Sequence, residues 1–237
     1  HLEPDHKYGY AWLDATRRAL TGESVSVDKE KIIIVSHDAH PHGAQFLALG
    51  IVRSLSVDFN FDVEIIILGS GVLKESFAEF GTVHDLSDVD IGGEDAQFLA
   101  GNLKERGYKH AIVNSTVSGA FGALLSGCGI SCVVLVHELP GIIKSHDLSE
   151  CTKAITKSGS SIVFPSEVVA EGFKEFTSFT KDVTHIRPQG VWRRNYWRYR
   201  IKAARDEVRN KLGFSSQTAI VLAVGYADKR KGIDLFV

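Results

Sequence analysis

Residues 31–36, Lys-Ile-Ile-Ile-Val-Ser, contain four consecutive β-branched residues with no polar position between them. A strand with one wet face alternates apolar and polar residues. An unbroken apolar run instead belongs to a strand covered on both faces, as in a parallel sheet. Downstream, Ala44, Leu47, Ala48, Ile51, Val52 and Leu55 recur at the spacing of a single helical stripe. A buried strand followed by an amphipathic helix is the opening of a βαβ unit.

The alternation repeats along the chain. Strands are expected at 63–68, 82–86, 111–114, 132–137, 161–164 and 183–187. Helices are expected at 73–80, 94–106, 118–125, 150–157 and 166–176, the last with Ser166 as N-cap behind Pro165. Such a series implies an α/β fold, a doubly wound, Rossmann-like parallel sheet. Helical spacing around 12–20 places a helix in an N-terminal extension, 1–30. The Rossmann-like domain is assigned to 31–191. Residues 192–237 then carry a basic, aromatic helix (195–212) ended by Gly213, a fresh buried strand (219–224) and the start of another helix. They are expected to be a linker helix and the first strand of a second Rossmann-like domain that is cut short.

Composition and charge narrow the class. A 44% hydrophobic, 24% charged chain is that of a soluble globular protein. No apolar run approaches the roughly 20 residues of a membrane span, and the first thirty residues hold no signal-peptide core. Cys128, Cys132 and Cys151 are too few and too unevenly spaced for a disulfide framework or a zinc knuckle, so reduced thiols and a cytoplasmic location are expected. Basic charge is concentrated: nine Lys/Arg stand between Arg187 and Lys211 against Asp206 and Glu207, although the whole chain is at −2.

Three segments carry candidate chemistry. The first is the turn from first strand to first helix, Ser36-His-Asp-Ala-His-Pro-His-Gly-Ala-Gln45. Loops at the carboxyl ends of parallel strands are where open α/β sheets bind ligands. Gly43 lets a ligand approach the backbone, and a helix amino end favours an anion. A nicotinamide site would need three glycines here, and Gly43 stands alone; Gly69 and Gly71 follow the second strand without a third. His37, Asp38, His40 and His42 are zinc-type ligands, which leaves a metal-dependent hydrolase open. No Gly-x-Ser-x-Gly occurs, so no serine-hydrolase elbow is present. The second segment is the strand that delivers His137 and Glu138 to the same edge, where Asn114 ends a neighbouring strand; a histidine beside an acid can bond sugar hydroxyls or move protons. The third is Gly225-Tyr-Ala-Asp-Lys-Arg-Lys-Gly232, where Arg230 and Lys231 ahead of a helix suit a diphosphate.

Taken in order, His42-Gly43-Ala44, His137-Glu138-Leu139-Pro140, Phe164-Pro165-Ser166-Glu167, Pro188-Gln189-Gly190-Val191 and Gly225 through Asp234 resemble a family-4 (group 1) glycosyltransferase of the GT-B fold. The resemblance covers about residues 31–237. It implies two facing Rossmann-like domains and sugar transfer from a nucleotide-sugar co-substrate with retention, hexosyltransferase in type, with no metal or other cofactor. It further implies His137 as the catalytic residue beside the transferred sugar, and Gly43, Ala44, Arg230 and Lys231 at the donor phosphates. His42, Asn114 and Glu138 fall on the acceptor or sugar side. The chain departs from the pattern at Tyr226, where an Arg is usual, and at His42, where a second glycine is more common. The implied partners are the donor, a sugar or lipid-linked acceptor in glycan or polysaccharide synthesis, and the missing C-terminal domain. The basic stretch 193–211 also suits peripheral contact at the inner membrane face; a nucleic-acid partner is not expected. A non-catalytic binding or assembly module with the same fold is the alternative from another class.

Overall fold

The computed structural model describes residues 29–189, 197–224 and 232–236. The expected helix at 12–20, Trp192 to Tyr196, and the Gly225 turn with Arg230 and Lys231 lie outside the described residues. The chain divides into two compact units, His1–Trp192 and Arg193–Val237.

In the first unit seven parallel strands form one sheet: β1 (Lys31–Ser36), β2 (Asp62–Ile67), β3 (Thr82–Asp85), β4 (His110–Asn114), β5 (Ser131–Leu135), β6 (Ser161–Phe164) and β7 (Thr184–Ile186), in the order β3-β2-β1-β4-β5-β6-β7. The connecting helices are α1 (Gly43–Arg53), α2 (Lys74–Ala78), α3 (Glu94–Glu105), α4 (Gly119–Gly127), α5 (Pro140–Ser145), α6 (Ser149–Lys157) and α7 (Glu167–Phe173).

The unbroken apolar run of β1 is explained by two cores. Ile33 and Val35 join one cluster with Leu103 of α3, Phe121 of α4 and Phe173 of α7. Ile32 and Ile34 join the other with Ala48 and Val52 of α1 and Phe77 of α2. Each fully buried isoleucine contributes about 1.5–3 kcal/mol relative to exposure. The doubly wound architecture expected from the alternation is present.

One polar residue breaks the apolar pattern of β2. Glu64 is 1% exposed, ion-paired with Arg106 and hydrogen-bonded to His84, with the Tyr108 hydroxyl 3.3 Å away. A buried carboxylate persists only when it is paired in this way.

Details differ from expectation where local signals conflicted. Helix α5 was not among the expected helices; Pro140 stands at its first turn, where its missing N–H costs nothing. Helix α7 stops at Phe173, three residues short of the expected end, and Ser166 occupies its N-cap position without a side-chain cap bond.

In the second unit, α8 (Ile201–Leu212) ends at Gly213, whose φ of 69° is the left-handed C-cap that glycine adopts freely. Arg209 is 8% exposed and donates to the carbonyls of Ser215 and Thr218. The expected strand at 219–224 is absent: no described strand pairs with it, and Val221 and Leu222 are 79% and 77% exposed. A β-prone segment needs a neighbour to bond and a layer to bury against. A short helix, α9 (Ile233–Phe236), closes the described chain.

Candidate functional site

The connection from β1 passes to β2 through α1, whereas that from β4 passes to β5 through α4. These helices pack in opposite cores. The chain therefore diverges above two adjacent strands and leaves a crevice at their carboxyl ends, the topological switch point. Ser36 and Asn114 are register partners at that edge.

The β1–α1 loop is built by its own side chains. Ser36 Oγ donates to the Asp38 carbonyl at 2.8 Å, and Asp38 Oδ1 accepts from the His40 amide at 2.8 Å. Gln45, 2% exposed, donates from Nε2 to Asp38 and to His37 Nε2, the latter at 2.9 Å. The carboxylate can only accept, so the Gln45 amide nitrogen must face it. His37 Nε2 also lies 3.4 Å from Asp38 Oδ2, so the three side chains form one cluster. The Gln45 carbonyl oxygen and His37 Nδ1 are buried without a partner among the described residues.

The glycines after β2 are required by close packing against this loop. The Ala39 amide donates to the Ser70 carbonyl at 3.0 Å, and the Leu73 amide to the Ala39 carbonyl at 2.9 Å. A Cβ on Gly71 would lie 2.0 Å from the Ala39 carbonyl carbon, and one on Gly69 would lie 2.9 Å from the His37 oxygen. Only glycine lets the two loops nest. At Gly43 the reverse holds: a Cβ would meet nothing within 4 Å, so packing does not demand glycine there. Helix α1 has no acidic residue in its first turn, which leaves its positive amino end uncompensated from within.

On the other side of the crevice, Asn114 is fully buried at the end of β4. Its Nδ2 donates to the Ala44 carbonyl at 2.9 Å, and its Oδ1 lies 2.8 Å from His137 Nε2. Gln189, just beyond β7, hydrogen-bonds the other ring nitrogen, Nδ1. One buried amide thus joins the α1 amino end to His137. Burial pushes the His137 pKa down; Glu138 opposes this and the nearby His37 reinforces it, leaving the pKa below the ordinary histidine value.

Glu138 turns toward the β4 loop. Its carboxylate accepts from Ser115 Oγ at 2.5 Å, the Thr116 amide at 3.1 Å, Thr116 Oγ1 at 2.7 Å and the His137 amide at 3.1 Å. Four bonds fill the acceptor capacity of a carboxylate. Burial pushes its pKa up, but the Ser115 and Thr116 bonds outweigh that and hold it below the usual range. The same contacts hold Ser115 at φ 80°, a conformation rare for a residue with a side chain.

Of the residues the sequence singles out, the structure brings Ala44, Asn114 and His137 into direct contact. It sets exposed His42 and Gly43 at the start of the same helix and Glu138 one residue beyond His137. Arg230 and Lys231 lie outside the described residues. Among the described residues no group of three or more His, Cys, Asp or Glu is placed to hold a metal. His37 and Asp38 are tied to Gln45, while the exposed His40 and His42 rings stand 6.4 Å apart. Sequence reasoning missed Gln45, Ser115, Thr116 and Gln189. The pair Ser115-Thr116, polar residues directly after a buried strand, was the available signal; Gln189 was visible only as part of the Pro188-Gln189-Gly190 turn.

No family model and no curated protein matches the chain. Solved structures do. Anabaena Alr3699/HepE in complex with UDP and glucose aligns with a TM-score of 0.54 at 14% identity, over 78% of this chain and 50% of its own. HepE in complex with UDP aligns with a TM-score of 0.56 at 13% identity, over 77% and 50%. A glycosyltransferase from Rickettsia africae ESF-5 aligns with a TM-score of 0.56 at 16% identity, over 81% and 51%. The chain therefore shares its fold with these proteins and spans about half their length.

Proposed function

We propose that this chain is the acceptor-side part of a nucleotide-sugar glycosyltransferase, with its site in the crevice above β1 and β4. The observation that carries this reading is Asn114, whose amide joins the amino end of α1 to His137 across the switch point. Two chemistries meet there: a helix end that attracts an anion and a neutral imidazole able to bond a hydroxyl. A nucleoside diphosphate sugar carries both groups. Likeness of fold to HepE, crystallised with UDP and glucose, supports the same donor class.

During transfer the bond from the anomeric carbon to the diphosphate breaks, and the leaving group takes the electron pair. Positive charge aimed at that oxygen lowers the barrier. In this reading Gly43 and Ala44 offer the α1 amino end to the donor phosphates and no metal is required; Arg230 and Lys231, which the sequence suggests for the diphosphate, lie outside the described residues. His137 bonds the transferred sugar, with retention at the anomeric carbon, and His42 lines the acceptor side. Exposed Tyr199 and Trp197, each beside an arginine guanidinium, suit peripheral contact with an anionic cytoplasmic membrane surface near a lipid-linked acceptor. Among the described residues no helix is long and apolar enough to cross a membrane.

Calorimetric titration of the full chain with a panel of nucleotide-sugars tests the assignment. One donor is expected to bind and to weaken about tenfold or more in His137→Ala and in Arg230→Ala, a loss of at least about 1.4 kcal/mol. Binding that both substitutions leave unchanged rules the assignment out. A non-catalytic module of the same fold would bind no donor in the panel.

A further inference from the structure

The hydrogen bonds running from Ala44 through Asn114 to His137 have only one consistent direction, and the chain continues to Gln189. A carbonyl accepts and never donates, so Asn114 presents Nδ2 to Ala44 and Oδ1 to His137. That oxygen also only accepts, so His137 Nε2 carries the ring proton. In the neutral ring Nδ1 is then a bare lone pair, and the amide nitrogen of Gln189 donates to it. The two ends of the imidazole are held differently. Asn114 is fully buried and fixed at both ends, whereas Gln189 is exposed.

We propose that Gln189 is a positioning residue of the site: it keeps His137 Nδ1 as a hydrogen-bond acceptor and stands where a hydroxyl of a bound sugar later donates. The second half of this statement rests on the sugar-transfer reading above; the first half does not. The neutral ring takes the Gln189 amide nitrogen at Nδ1, whereas a protonated His137 would require that amide to turn and present its carbonyl oxygen. The other charged or titratable groups facing the ring are Glu138, next in the chain, and His37 from the β1 loop. A sugar hydroxyl entering the crevice can replace the Gln189 amide bond for bond, leaving the Asn114 anchor and the tautomer unchanged.

Two-bond nitrogen–proton correlation spectra of the full chain labelled with ¹⁵N-histidine test this, with His137→Gln assigning the signals. Wild-type His137 is expected as the Nε2–H tautomer. In Gln189→Glu the carboxylate can accept from a protonated Nδ1, so the His137 titration is expected to rise by about 1 pH unit or more. Gln189→Ala removes the donor without adding charge, and its rise is expected to be smaller. A residue that serves only the folding of the turn would leave the titration unmoved in both variants. A proton on Nδ1 in the wild type, or a Gln189→Glu titration identical to wild type, overturns the positioning role. Saturating UDP-glucose is expected to shift the Gln189 side-chain amide signals while the tautomer persists. Unchanged Gln189 amide signals overturn the displacement alone when backbone amides of the crevice shift with UDP-glucose, and overturn the sugar-binding reading when no backbone amide shifts either.

Discussion

Asn114 Oδ1 lies 2.8 Å from His137 Nε2, and the same amide holds the Ala44 carbonyl from its other end at 2.9 Å. A residue from the end of β4 therefore fixes both the first turn of α1 and the ring of the proposed sugar-binding histidine. Everything proposed for the crevice depends on that bridge.

Asn114→Ala removes a buried donor and a buried acceptor and leaves His137 Nε2 without its partner, while the Ala44 carbonyl stays within the helical ladder of α1. An orphaned buried group costs about 1–3 kcal/mol, so a loss of at least about 1 kcal/mol is expected in urea unfolding. The His137 ring should also lose part of its tautomer preference, with the Gln189 contact at Nδ1 holding the rest, which the histidine nitrogen spectra would register.

Glu138 makes stability pH-dependent in a defined direction. Its pKa is depressed on folding, so it stabilises the fold above its unfolded value of about 4.5, and that contribution is lost as pH falls through the folded pKa. Glu138→Gln puts an amide where donors from Ser115, Thr116 and His137 converge, at a cost of about 1–3 kcal/mol near neutral pH. The gap between wild type and variant is expected to narrow steadily below pH 4.5. Chemical denaturation at pH 7, 4.5 and 3.5 measures it.

Two glycines separate packing from ligand approach. Gly71→Ala drives a Cβ into the Ala39 backbone and is expected to destabilise by about 2 kcal/mol or more. Gly43→Ala meets open space and should change stability by less than about 0.5 kcal/mol. If donor phosphates sit against the α1 amino end, Gly43→Ala nonetheless weakens nucleotide-sugar binding, which calorimetry beside thermal melting would reveal.

The buried Glu64 network is a second test of the fold. Glu64 is 1% exposed and depends on Arg106 for its counter-charge and on His84 for a further hydrogen bond. Arg106→Ala strips part of that and should destabilise by about 2–4 kcal/mol, whereas Glu64→Leu combined with Arg106→Leu should come out nearly neutral because the desolvation cost disappears with the charges. A double-mutant cycle in guanidinium gives both values.

The sequence made the scaffold legible because burial on both faces leaves a direct mark: β1 is apolar throughout, and α1 carries its stripe at helical spacing. It placed Gly43, Asn114 and His137 at one edge of the sheet because parallel strands all end on the same side. What it could not show were contacts set by register between distant segments. Gln189 meets His137 from 52 positions away, and Ser115 meets Glu138 from 23. Nor does an apolar run guarantee a strand: residues 219–224 have strand composition but no partner among the described strands. The glycines of the β2 loop were visible, but their purpose depended on how close Ala39 comes.

A nucleotide-sugar seated in the crevice between β1 and β4 would perturb the backbone around it, and titrating UDP-glucose into the uniformly ¹⁵N-labelled chain reads that out. Saturable shifts are expected at Gly43 to Gln45, at Asn114 to Thr116 and at His137. Shifts confined to other parts of the sheet, or none at millimolar ligand, would rule the crevice out as the donor site.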